Sequence, residues 1–78
     1  SNSDQNEFVR TPIELVFQMI EEKRYEEALP YILSYSHQNP TNSKIWNALG
    51  VVYYYLEKYM NAELALMNAL SYTRNRKS

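Results

Sequence analysis

His37 is the only histidine among 78 residues, and there is no cysteine. A nucleophile with its base, or a soft-metal site, has almost nothing to be built from. Asp4 is the only aspartate and lies in a polar stretch at residues 1–7. Glu21-Glu22 and Glu26-Glu27 are paired carboxylates of the kind that share acid–base work. They flank Lys23 and Arg24, so they read instead as a solvated, ion-paired turn. Gly50 is the only glycine, which rules out a glycine-rich phosphate loop. His37 falls near the end of a helical segment, where the helix dipole accounts for it. Arg74, Arg76 and Lys77, with Tyr72 near for stacking, form the one cluster suited to nucleic acid. Three charges in a chain of net charge −1 make a weak electrostatic footprint. The expectation is a protein that is not an enzyme and needs no cofactor and no metal, with nucleic acid as the disfavoured rival partner.

The charge is unevenly spread. Residues 1–42 carry seven acidic against three basic side chains, a net of −4, and residues 43–78 carry five basic against two acidic, a net of +3. An acidic front and a basic back favour head-to-tail association. No apolar run approaches the roughly 20 residues that span a bilayer, and the N-terminus lacks a signal-peptide pattern. No membrane partner is expected, and the cytoplasm is the default compartment. Residues 1–8 read as a polar leader whose first two residues look like the remnant of a tag.

Hydrophobic periodicity places four helices, over about residues 12–22, 25–38, 43–56 and 60–72. Thr11-Pro12-Ile13-Glu14 supplies a capping box with proline at the first helical position. Leu15, Val16, Met19 and Ile20 then make the first apolar stripe. Ala28, Leu29, Ile32 and Tyr35 make the second. Pro30 interrupts that segment and predicts a late start or a slight bend. Asn39-Pro40-Thr41-Asn42 ends it, and Asn42 or Ser43 caps the third. Val51 to Tyr55 has strand-like composition, but the flanking helical pattern overrides it. The turn 57–59 is short enough to force antiparallel neighbours. Residues 73–78 read as a fraying polar tail.

A shift of 34 residues lays Leu15 on Leu49, Tyr25 on Tyr59, Ala28 on Ala62 and Ile32 on Leu66. The chain divides without a gap into units 9–42 and 43–76, followed by the basic end 77–78. A fixed period of this size marks stacked supersecondary units. In the second unit, Trp46, Leu49, Gly50 and Tyr53 spell W-x2-L-G-x2-Y, followed by Tyr59, Ala62, Leu66 and Ala69. This resembles the tetratricopeptide (TPR) repeat family over residues 9–76. The first unit is divergent. It keeps Leu15, Tyr25, Ala28 and Pro40, but has Pro12 where tryptophan is usual, Val16 where a small residue is usual and Tyr35 where alanine is usual.

The resemblance implies an all-α fold of antiparallel helical hairpins stacked as a short superhelix, an α-α solenoid that works as a protein–protein interaction scaffold. It implies that Ala28 packs against the first helix and Ala62 against the third, that Gly50 allows a close helix approach, and that Tyr53, Tyr59 and Leu66 fill the space between helices. It places ligands in a concave groove at Arg10, Ile13, Phe17, Ile20 and Glu21, then Lys44, Asn47, Val51, Tyr54 and Tyr55. Phe17 and Val51 stand where a carboxylate clamp would present asparagine, so an apolar, aromatic groove for a peptide or helix is expected. Arrays of this family end in a solvating helix that the chain lacks. Met60, Leu64, Met67 and Leu70 are therefore expected to lie bare and to drive self-association, as a homo-oligomer or as a piece of a longer array. The alternative is an oligomerisation module whose groove a sister chain fills.

Overall fold

The computed structural model describes residues 10–75, so the leader, Val9, Arg76 and the last two residues lie outside it. Four helices follow in order: α1 at Pro12–Glu21, α2 at Tyr25–Gln38, α3 at Ser43–Tyr55 and α4 at Tyr59–Asn75. Each packs against the next, which makes two antiparallel hairpins joined by residues 39–42. No strand occurs among the described residues, and none of their helices is long and apolar enough to cross a membrane.

The local chemistry explains the boundaries. The Thr11 hydroxyl accepts from the Glu14 amide at 3.4 Å, while the Glu14 carboxylate accepts from the Thr11 amide at 2.8 Å. This reciprocal box satisfies two donors that a helix start leaves over. α1 ends when Lys23 turns left-handed, at φ 64°. The Lys23 and Arg24 amides then donate to the Ile20 and Met19 carbonyls, at 3.0 and 2.9 Å. This is a Schellman closure. α3 ends in the same way: Glu57 has φ 62°, and the Glu57 and Lys58 amides donate to Tyr54 and Tyr53. Each of these positions lies 34 residues beyond its counterpart, so the sequence period is also a backbone period.

Between the hairpins, the Asn42 side chain accepts from the Lys44 and Ile45 amides and caps α3. The Trp46 indole donates to the Pro40 carbonyl at 2.7 Å, tying the first turn of α3 to the linker. α2 runs unbroken from Tyr25 through Pro30, with neither a late start nor an early end. Pro30 is exposed, so its missing N–H falls on the water-facing side of the helix. α1 and α3 end one residue earlier than the periodicity suggests. α4 begins one residue earlier and continues three further, through Thr73 and Arg74, where a cation in the last turn suits the dipole.

The core gathers Val16 of α1, Ala28 and Ile32 of α2, and Ile45, Ala48, Leu49 and Val52 of α3. Ser36 is buried too, and its hydroxyl donates to the Leu33 carbonyl at 2.6 Å. Among the described residues, α4 contributes only Ala62, Ala65 and Ala69 to the buried set. Its small face lies close against α3 with Leu66 seated over Gly50, and Met60, Leu64, Met67 and Leu70 stay outside.

Candidate functional site

α2 packs against both α1 and α3, whereas α3 is the main neighbour of α4. The difference shows in residues that share a register. Ile32 and Ser36 of α2 are 0% exposed, while Leu66 and Leu70, 34 positions on, are 39% and 56% exposed. Leu33 is half-buried, and its counterpart Met67 is exposed. Met60, at 80%, is the barest large apolar side chain, and Leu64 is also exposed. At Leu66, Met67 and Leu70, α4 therefore presents to water the positions that α2 covers with a following helix, whereas Glu26 and Pro30, the counterparts of Met60 and Leu64, are exposed on α2 as well.

A groove of about 600 Å³ runs along this face, between Tyr54 of α3 and Met60, Leu66, Met67 and Leu70 of α4. Glu63 is the only charged residue in its lining. A neighbouring concavity of about 320 Å³ shares Leu66 and Leu70 and adds Lys44, Asn47 and Thr73. The two form one apolar trough with polar groups at one end.

The expected groove residues do not all meet here. Tyr54, Lys44 and Asn47 border the α4 trough. Arg10, Phe17 and Lys44 line a separate hollow of about 380 Å³ on the α1 side, beside Glu14 and Glu21. Ile13 and Phe17 pack partly against the core, and Val51 is half-buried on α3. Ile20 also packs against the core. Tyr55 stacks on Tyr25, with ring centroids 4.8 Å apart and planes 7° from parallel. Tyr54 meets Tyr55 and Tyr59 edge-on, at 5.3 and 5.6 Å. Tyr25, Tyr55, Tyr54 and Tyr59 thus form an aromatic row across the turn ends of both hairpins. Tyr59, expected between helices, is exposed because no further helix of the described residues reaches it.

A second apolar hollow, of about 270 Å³, opens at the front between Leu15, Met19, Tyr31 and Tyr35. Sequence reasoning missed it, since Leu15 shares the register of Leu49. Leu49 is 1% exposed and Leu15 47%, because no hairpin precedes α1 among the described residues. Tyr35 and Tyr31, where the second unit has Ala69 and Ala65, were the available signal.

Two of the four turn carboxylates, Glu22 and Glu27, are ion-paired. Arg24 grips Glu27 with two bonds, at 2.8 and 3.0 Å, and reaches Glu22 at 2.9 Å. His37 lies exposed in the last turn of α2. Among the described residues, no three acidic or histidine side chains converge as a metal cluster. No family model, curated protein or solved structure matches the chain.

Proposed function

We propose that the chain is a TPR-like protein–protein interaction module without catalytic activity, and that its working surface is the α4 trough, which receives a helix. The observation that carries this reading is the register pair Ile32 and Leu66. One is sealed beneath packed helices, and the other is open in the same structural position. A groove prepared by repeat geometry at Leu66, Met67 and Leu70 suits the apolar face of an amphipathic helix. The exposed Tyr54 and the thioethers suit such a contact, since both present apolar area with little loss of order.

α3 follows α2 and packs on it, so a labelled peptide of residues 42–58 is the natural probe. It is expected to bind and to shift the amide resonances of Leu66 to Leu70. With the chain diluted to monomer, absence of binding, or shifts centred on Arg10 and Phe17 instead, would overturn the α4 assignment.

A further inference from the structure

We propose that the occupant of the α4 trough is α4 of a second copy of this chain, laid antiparallel across a two-fold axis. The inference rests on the reading of α4 as a helix-receiving surface and names its partner. Glu63, Met67, Leu70 and Arg74 follow at i, i+4, i+7 and i+11, one straight stripe about 16 Å long on the open side of the helix. Its ends carry opposite charges and its middle is apolar. An axis between residues 68 and 69 sets Met67 against the second copy's Leu70. The same axis sets Glu63 against the second copy's Arg74, at both ends. Parallel pairing would instead oppose Glu63 with glutamate and Arg74 with arginine, which disfavours it. An isologous contact uses one patch twice and closes, so it leaves no bare copy of the face.

The other arrangement, the front hairpin of one copy on α4 of the next, fails on chemistry. Such a hairpin would repeat the way α3 seats on α2. Its residues in the register of buried Ile45, Ala48, Leu49 and Val52 are Thr11, Glu14, Leu15 and Gln18, so three of the four are polar and only Leu15 is apolar. Glu14 is already held in the capping box. Burying these polar groups without partners opposes association.

The test is molar mass by sedimentation equilibrium across a hundredfold concentration range, on the native chain and on the Glu63→Arg, Arg74→Glu and double-reversal variants. The native chain is expected to dimerise, with affinity falling as salt is added. Each single reversal, repeated twice by symmetry, weakens the dimer at least about tenfold, and the double reversal returns it to within about threefold. Single reversals that leave the mass curve unchanged, or a double reversal that does not recover, would overturn the antiparallel pairing. In a monomer at all concentrations, titration with the 42–58 peptide separates the two failures. Shifts on α4 would overturn the dimer alone and leave the helix seat standing, and no shifts would sink both.

Discussion

Leu66 lies so close over Gly50 that a Cβ built on the glycine would stand 2.5 Å from Leu66 Cδ2 and 2.6 Å from Cγ. The Ala62 carbonyl oxygen is the next neighbour, at 3.4 Å. Gly50 is therefore the point at which α3 admits α4. In an isolated helix, Gly→Ala would stabilise by about 1 kcal/mol. Here the added methyl collides with the Leu66 branch carbon and one of its terminal methyls, so the whole side chain must move. Gly50→Ala is expected to destabilise by about 1–2 kcal/mol, which thermal or urea unfolding would measure. Leu66→Ala in the same chain should remove most of that loss. A double-mutant cycle with no coupling would refute the contact.

Lys23 and Glu57 hold left-handed backbone at the two hairpin turns. Side chains with a Cβ are strained there, by roughly 1–2 kcal/mol. Glu57→Gly is expected to raise stability by about 0.5–1 kcal/mol despite the added freedom of the unfolded chain, a rise in Tm of a few degrees. Glu57→Val should do the reverse, because a branched side chain fits left-handed backbone poorly.

Asn42 caps α3 with two amides on one carbonyl oxygen. Asn42→Ala should cost about 1 kcal/mol in chemical unfolding. Trp46→Phe removes the indole bond to the Pro40 carbonyl and should cost a similar amount, about 1 kcal/mol. The two changes act on the same joint, so their sum should depart from additivity.

Three glutamates are held below their ordinary value of 4.5. For Glu14 the cause is the Thr11 backbone amide and then its hydroxyl. For Glu22 it is the Gln18 amide and then Arg24, and for Glu27 it is Arg24. Arg24 is correspondingly raised. A carboxylate whose folded pKa is depressed contributes stability above its unfolded value and loses it as pH falls through the folded value. Thermal melts from about pH 7 to about pH 3 should stay level until near 4.5 and then drop. Arg24→Gln should shrink the drop by the share of Glu22 and Glu27 and leave that of Glu14. An unchanged acid limb in that variant would show that the ion pairs are not felt in solution.

Much of the architecture was legible along the chain, for local reasons. The Thr11 box, the Asn42 cap and the two proline-bearing boundaries act over three or four residues, so their chemistry can be read in order. α2 lay where its pattern placed it, and Pro30 did not shift its start because proline near the first turns removes a donor on the solvent side. The alanines at 28, 62 and 69 announced close helix contacts. Tail composition misled at α4: Thr73 and Arg74 looked like fraying residues, yet they extend the helix by continuing its backbone ladder.

The candidate site was legible only in part. Met60, Leu64, Met67 and Leu70 could be marked as bare because the family resemblance implies a solvating helix over that face. The concave set could not be grouped by spacing. Lys44 borders two hollows, Tyr55 is engaged with Tyr25, and Tyr54 belongs to the α4 side. Which hollow a side chain joins depends on the angle between helices, and that angle follows from contacts far apart in sequence.

By itself, then, the order of residues determined the helices, their caps and the 34-residue period, because capping, propensity and periodicity act within a turn or two of backbone. Only the tertiary structure decided which apolar residues went unburied. Leu15 and Leu49 share a register, as do Leu70 and Ser36, and each pair divides between water and core. Burial is a property of neighbours: a helix flanked on both sides hides what the same register exposes at either end of the described stack.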